Sequence, residues 1–236
     1  MARFLLVHGA FHGGWCWYRL VAELERRGHR ALAPDLPGHG RHAAPAAEAS
    51  LARYADHVAT LARAEPDPVI LVGHSMGGAV ITAAAELAPQ AFAAIVYLTA
   101  FLAPDGGSMA GGLSALPAPG GLIAHDPKAE PLLYHDCPAE DVVLARLCLT
   151  AQPRQPLVDT IRHTPQRWGS VPRHYIGCTL DRVFPIAGQR AQAEAQPGTR
   201  WSELPSGHSP FFAMPDRLAD ALEQVAAGDQ GGMTLP

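Results

Sequence analysis

The sequence begins without a long hydrophobic run, carries no basic stripe and contains few cysteines. Its apolar start before His8 is too short for the hydrophobic region of a signal peptide and far too short for a membrane span. A net charge of −4, with no run of Lys or Arg, argues against nucleic-acid and membrane binding. The four cysteines lack CxxC spacing, which indicates reduced thiols. We therefore expect a cytoplasmic protein with no nucleic-acid or membrane partner.

Serine is scarce, since only 8 of the 236 residues are serine. One of them, Ser75, nevertheless stands between Gly73 and Gly77 in the stretch LVGHSMGGAV. A chain of this composition would contain roughly 0.08 Gly-x-Ser-x-Gly matches by chance. The motif therefore deserves a functional hypothesis, which its structural context must support.

Short aliphatic or β-branched runs alternate along the chain with longer segments of helical period. This alternation is typical of β–α–β units and a parallel sheet. A chain of 236 residues with 48% hydrophobic side chains can bury one substantial core. We predict an α/β fold with a mostly parallel sheet of about six strands flanked by helices. The candidate strands are Phe4 to Val7, His29 to Ala33, Val69 to Val72, Ala94 to Leu98, His174 to Cys178 and Arg200 to Leu204.

Four helices are predicted by their apolar patterns. The first has an apolar face before Gly28, formed by Trp17, Leu20, Val21 and Leu24. The second follows the N-cap candidate Ser50 and also has one apolar face. The third covers residues 76–87 and is apolar nearly all round, which predicts a helix buried against the sheet. The fourth begins near Pro215.

One region breaks this rhythm: Ala103 to Gly169 is rich in Pro and Gly, has no convincing strand and has one good helix, Ala139 to Thr150. It is too long for a simple loop, so we interpret it as a small helical cap inserted after the fourth strand. The predicted division is a core of residues 1–102 and 170–227, a cap of residues 103–169 and a flexible tail of residues 228–236.

Three polar residues follow three predicted strands at one edge of the sheet. Ligands bind outside the carboxyl ends of parallel strands, and Ser75 lies there on a strand-to-helix turn. A serine hydroxyl needs a base, usually a histidine that a carboxylate orients. His208 follows the last strand and Asp181 follows the strand before it. This pattern predicts Ser75 as nucleophile, His208 as base and Asp181 as orienting acid.

Such a nucleophile also requires two N–H donors for a tetrahedral oxyanion. The Met76 amide comes directly after Ser75 at a predicted helix N-terminus. Gly9 lets the chain turn out of the first strand, so the Ala10 amide can face the same point. We predict that Ala10 and Met76 form an oxyanion hole.

Several alternatives stay open at this point. Ser75 could be a simple turn residue, and Asp105, which follows the fourth strand, is a rival for the orienting acid. His8, His12 and His74 have spacings that a metal site could use. No set of carboxylates or cysteines completes such a site, so we interpret them as structural.

Five stretches resemble the α/β-hydrolase superfamily, in particular the group of plant methylesterases, hydroxynitrile lyases and related bacterial esterases. They are LVHGAFHGGWCWYRL, APDLPGHG, GHSMGG, YIGCTLDRVFP and GHSPFFAMPDRLA. The resemblance covers nearly the whole chain outside the cap and tail. It implies an α/β-hydrolase fold, the triad Ser75, Asp181 and His208, and the oxyanion hole already predicted.

The resemblance also bears on the reaction. Hydroxynitrile lyases of this type carry Thr after the first-strand His and Lys after the catalytic His, whereas this sequence has Gly9 and Ser209. Cyanohydrin cleavage needs a cation near the departing cyanide, which Ser209 does not supply. We therefore expect a serine esterase that works through an acyl-enzyme and needs no metal or organic cofactor.

The rim loops and the cap are expected to form an apolar pocket for a small or medium ester. Its predicted lining is Phe11, Phe101, Leu144, Leu147 and Phe211, although Leu144 and Leu147 fit core packing equally well. A carbon–carbon lyase or decarboxylase at the same site, or a small-molecule binding protein on a hydrolase fold, remains an alternative. The sequence leaves a homodimer open.

Overall fold

A six-stranded parallel sheet forms the centre of the protein, as the computed structural model shows for residues 1–42, 44–110 and 112–228. The order of its strands is β2-β1-β3-β4-β7-β8. This confirms the predicted α/β fold with six strands. Two short strands, β5 and β6, pair separately and antiparallel. The strands are β1 (Arg3–Val7), β2 (Arg30–Leu32), β3 (Val69–His74), β4 (Phe92–Leu98), β5 (Leu122–Ile123), β6 (Gln152–Pro153), β7 (Arg173–Cys178) and β8 (Thr199–Leu204).

Helices cover both faces of the sheet. On one face, α2 and α3 pack into a core that includes Tyr54, Ile81 and Leu71. On the other face, α1 and α9 pack over Leu6 and Val72. In the described part of the chain, no helix has the length and hydropathy to cross a membrane. The helices are α1 (Tyr18–Arg26), α2 (Leu51–Arg63), α3 (Gly77–Leu87), α4 (Glu130–Leu133), α5 (Ala139–Cys148), α6 (Gln155–Val158), α7 (Ile186–Glu194), α8 (Pro210–Ala213) and α9 (Pro215–Ala226).

The apolar patterns of the sequence explain these elements. Every residue of β3 is buried, as expected for a central parallel strand covered on both faces. Eight of the eleven residues of α3 are buried, which agrees with its nearly all-round apolar sequence. Ser50 caps α2, because its hydroxyl accepts a hydrogen bond of 3.1 Å from the Arg53 amide.

The chain between β4 and β7 contains more structure than its sequence pattern predicts. The sequence analysis finds no convincing strand in this region, but the structure has β5 and β6 there. Each has only two residues, which is too short to show the alternating pattern of a strand. Helix α5 ends at Cys148, two residues before the predicted end at Thr150. The Thr150 amide instead donates to the Phe11 carbonyl at 2.9 Å, so a tertiary contact takes the chain out of the helix. The division into core and cap stays a prediction, and the predicted tail lies, from residue 229 on, outside the described residues.

Candidate active site

Ser75 lies in the turn between β3 and α3, at the carboxyl edge of the sheet. Its φ of 53° is in the left-handed region, where a residue with a side chain is strained. The flanking glycines allow this turn. A Cβ on Gly73 would lie 2.6 Å from the Gly77 carbonyl oxygen, and a Cβ on Gly77 would lie 2.8 Å from that of Val7. The strand-to-turn-to-helix context expected of the motif is therefore present.

His208 and Asp181 form a buried pair at the same edge. Asp181 follows β7 and His208 follows β8, and the distance from His208 Nδ1 to Asp181 Oδ2 is 2.7 Å. The Asp181 carboxylate also accepts hydrogen bonds from the Thr99 hydroxyl at 2.5 Å and from the amides of Val183 and Phe184 at 2.7 and 2.9 Å. Burial opposes its ionisation, but the hydrogen bonds from His208, Thr99 and Phe184 outweigh burial and lower the pKa of Asp181. The carboxylate is therefore ionised at neutral pH and orients the imidazole.

Thr99 is a site residue that the sequence analysis missed. It directly follows Leu98, the last residue of β4, and it is fully buried with a φ of 37°. The rule that singled out Ser75 and Asp181, a polar residue shortly after a parallel strand, also applies to Thr99. That signal was available in the sequence.

Asp105, the rival acid, is engaged elsewhere. Its exposed carboxylate accepts a hydrogen bond of 3.0 Å from the His163 amide and lies 3.4 Å from Arg162 Nη1. The His208 ring pairs with Asp181. Of the two candidate acids, Asp181 and not Asp105 therefore contacts the His208 ring.

The first turn after β1 passes close to Ser75. A Cβ on Gly9 would lie 3.0 Å from the Ser75 Cβ, so this approach requires glycine. Ala10 lines the same cavity as Ser75. Met76 is the N-cap residue of α3 and has helical dihedral angles. Amides at a helix N-terminus have no partner within the helix, so the Met76 N–H is available to a bound oxyanion.

Ser75, His208 and Ala10 line one cavity of about 300 Å³. The other lining residues are mainly apolar, and several come from the chain between β4 and β7. They are Phe11, His12, His74, Leu116, Ala124, His125, Asp126, Ala129, Leu132, Leu133 and Val183.

The residues that line this cavity differ from most of those predicted to line the pocket. Phe11 lines it, whereas Phe101 and Leu144 are half-buried and are not among its lining residues. Phe211 is fully buried in the core between the sheet and α1, and Leu147 is 79% exposed on the outer side of α5. The prediction failed because a helical period shows that a helix has faces but does not show which face turns toward the site.

Three buried histidines hold the backbone around the site. The ring of His8 bonds to the Gly9 carbonyl at 2.9 Å and accepts from the Leu36 amide at 3.1 Å. The ring of His74 donates from Nε2 to the His208 carbonyl at 2.8 Å. Burial lowers the pKa of His8 and His74 well below the ordinary range, and lowers that of His12 to about 4.

These contacts agree with the structural interpretation of the three rings. Within residues 1–42, 44–110 and 112–228, no group of three or more His, Cys, Asp or Glu side chains could hold a metal ion.

The chain is similar to known esterases over nearly its whole length. It is 32% identical to methylesterase 7 of Arabidopsis thaliana, over 95% of this chain and 96% of the relative. It is 34% identical to a pyrethroid hydrolase of Sphingobium wenxiniae, over 94% of this chain and 86% of the relative. With putative methylesterase 11, chloroplastic, of Arabidopsis thaliana, it shares 30% identity over 94% of this chain but only 63% of the relative.

A solved structure of an esterase has the same fold as this protein. The crystal structure of methylesterase MES16 from Arabidopsis superposes with a TM-score of 0.85 and 28% identity, over 97% of this chain and all of the other. The model of the alpha/beta hydrolase family matches residues 4–221. The protein therefore belongs to the alpha/beta hydrolase family, which confirms the resemblance.

Proposed function

We propose that this protein is a serine esterase that hydrolyses small to medium apolar carboxylic esters, with Ser75, His208 and Asp181 as its catalytic triad. The supporting observation is the 2.7 Å contact between His208 and Asp181, buried beside the cavity that Ser75 and His208 line together. The similarity to methylesterase 7 and to a pyrethroid hydrolase favours the same reaction class.

In the first half of the reaction, Ser75 Oγ attacks the ester carbonyl carbon. Its proton passes to His208 Nε2, because Nδ1 is held by Asp181. The Asp181 carboxylate stabilises the imidazolium that results, and the low pKa of Asp181 keeps this charge in place. The Ala10 and Met76 amides donate to the carbonyl oxygen as it becomes negative, each contributing about 3 kcal/mol to transition-state stabilisation.

In the second half, the alcohol leaves with the proton that His208 returns, and the acyl group remains on Ser75. A water molecule then attacks the acyl-enzyme while His208 again takes a proton. Collapse of this second tetrahedral intermediate releases the acid and restores the Ser75 hydroxyl. The cycle consumes one ester and one water and requires no external oxidant or reductant.

The cavity supports an apolar substrate of limited size. Its volume of about 300 Å³ is at the small end of ligand pockets, and the side chains of Leu116, Leu132, Leu133 and Val183 border it. Ser209, next to His208, brings no cation for a departing cyanide. Hydrolysis is therefore favoured over the lyase alternative.

A panel of aryl, alkyl and lactone esters with wild type and Ser75→Ala tests the proposal. Wild type should turn over at least one class, and Ser75→Ala should lose activity on the order of 10⁴-fold or more. Ser170→Ala is the matched control, because Ser170 donates to the Arg167 carbonyl on the surface. Unchanged turnover in Ser75→Ala would refute the mechanism, and tight ligand binding without hydrolysis in wild type would favour a binding protein.

The cytoplasmic location stays a prediction, and a homodimer stays an open alternative. Cell fractionation tests the first, and sedimentation of the purified protein tests the second.

A further inference from the structure

A short segment of the chain between β4 and β7 touches two loops of the site at once. This bridge segment, residues 134–137, connects α4 to α5. We propose that it completes the catalytic machinery: Tyr134 positions the Ala10 end of the oxyanion hole through His12, and Asp136 positions the loop that carries His208. Both are positioning residues, and their role rests on the esterase mechanism proposed above.

On the oxyanion side, Tyr134 and His12 form a chain of two hydrogen bonds. The buried Tyr134 hydroxyl lies 2.7 Å from His12 Nε2, and His12 Nδ1 lies 2.7 Å from the Ala10 carbonyl oxygen. A carbonyl can only accept, so His12 Nδ1 carries the proton and Nε2 accepts from Tyr134. Burial raises the pKa of Tyr134 and lowers that of His12 to about 4, so both groups keep these roles at neutral pH.

The Ala10 region needs such support, because the next residue is strained. Phe11 has a φ of 66°, which a residue with a side chain rarely adopts. Its amide donates to Gln152 Oε1 at 3.2 Å, and its carbonyl accepts from the Thr150 amide at 2.9 Å. Both partners lie shortly after α5, whereas Tyr134 lies before it, so hydrogen bonds from both sides of this helix in the chain hold residues 10 and 11. The Ala10 carbonyl, fixed by His12, sets the orientation of the residue whose N–H is to meet the oxyanion.

On the base side, the Asp136 carboxylate binds the turn before His208. Asp136 Oδ2 accepts from the Gly207 amide at 2.5 Å and from the Ser206 hydroxyl at 3.2 Å. A hydrogen bond to an ionised acceptor is about twice as strong as a neutral one. The Gly207 peptide, which leads directly into His208, is therefore fixed by the bridge segment.

The fit at this point leaves no room for a side chain. A Cβ on Gly207 would lie 2.5 Å from Asp136 Oδ1 and 2.5 Å from His135 Cε1. Gly207 is thus a position where the His208 loop packs tightly against the bridge segment. Two independent contacts, made by residues two positions apart in the bridge segment, tie the proposed oxyanion hole and the proposed base to one element.

Steady-state kinetics of Tyr134→Phe with p-nitrophenyl acetate test the first contact. Loss of the hydroxyl should lower kcat about threefold to tenfold with KM nearly unchanged, because the Ala10 amide matters most in the transition state. Tyr18→Phe is the matched control. The Tyr18 hydroxyl donates instead to Asp141 Oδ1 of α5, at 2.5 Å. Equal kcat in Tyr134→Phe and wild type would overturn the proposal.

Two substitutions test the second contact. Asp136→Ala removes the acceptor for Gly207 and should lower kcat by a similar factor, whereas Asp136→Asn keeps a side-chain oxygen and should restore most of it. A merely structural role would lower thermal stability in Asp136→Ala and leave kcat of the folded enzyme unchanged, and that result would refute the role.

Hydrogen exchange gives a readout that does not need activity. Tyr134→Phe should speed exchange of the amides in residues 9–13, and Asp136→Ala should speed exchange in residues 205–209. Unaltered exchange in both segments would contradict the inference. Retained turnover in Ser75→Ala would defeat the esterase mechanism itself, whereas an inactive Ser75→Ala beside fully active Tyr134→Phe and Asp136→Ala variants would defeat only the positioning role.

Discussion

Lowering the pH from 7 to 5 should destabilise this protein strongly, because several histidines are buried in their neutral form. Burial lowers the pKa of His12 and His39 from the ordinary 6.5 to about 4, and lowers those of His8 and His74 well below their ordinary range. In the unfolded chain, these imidazoles take up protons as the pH falls through about 6.5. In the folded chain, His12 and His39 stay neutral until the pH approaches about 4. Stability is therefore complete above this window and is lost as the pH falls through it.

The magnitude follows from the two pKa values. At pH 5, an imidazole with a pKa of about 4 when folded and 6.5 when unfolded costs about 2 kcal/mol of unfolding free energy relative to high pH. His12 and His39 together cost about 4 kcal/mol, and His8 and His74 add to this loss. A typical domain has about 5–15 kcal/mol in total, so much of the stability should be gone at pH 5. Carboxylates contribute little there, because their unfolded pKa values lie near 4.

Urea unfolding at fixed pH values, followed by tryptophan fluorescence, measures this loss. The free energy of unfolding should be nearly flat from pH 7 to 8 and should fall by at least about 4 kcal/mol from pH 7 to 5. His39→Gln should reduce that fall by about 2 kcal/mol, because one buried ring no longer resists protonation. A free energy that is equal at pH 7 and pH 5, or a fall that His39→Gln leaves unaltered, would refute the reasoning.

The other predictions concern the site. Asp181→Asn should lower kcat in an esterase assay by roughly 10⁴-fold, because the imidazole loses the partner that sets its tautomer. Asp105→Asn should leave kcat near wild type. If instead Asp105→Asn is the inactive variant, the roles of the two acids are exchanged. Thr99→Val should lower kcat about tenfold through loss of the hydrogen bond to Asp181, and Thr99→Ser should recover it; equal rates in the two variants would count against this contact. Leu133→Ala should enlarge the cavity and raise kcat/KM for bulkier esters relative to acetates, and an unchanged ester preference would show that Leu133 does not limit substrate size.

The order of the site residues could be predicted from sequence because the rule behind it is general. Parallel strands place their carboxyl ends at one edge, so Ser75, Asp181 and His208, each shortly after a strand, were expected to meet there. Thr99 obeys the same rule and could have been found. The central strands β1, β3, β4 and β7 were predictable because they are almost fully buried and have continuous apolar runs.

The walls of the cavity could not be predicted in the same way. Leu147 and Phe211 have the apolar character of pocket residues, yet one faces solvent and the other fills the core. Helical period shows that α5 has faces, but the direction in which each face points depends on how the helix packs on the rest of the fold. The two-residue strands β5 and β6 likewise exist through their pairing and have no sequence period of their own.

The sequence by itself determined the fold class, the strand positions and the chain order of the serine, the aspartate and the histidine. Local patterns suffice for these features, because they follow from burial of alternating elements and from the geometry of parallel strands. Only the tertiary structure decided that Asp181 and not Asp105 meets His208, and that Tyr134 reaches His12 across 122 residues of chain. Such contacts depend on the directions of side chains from distant segments, which no local pattern specifies.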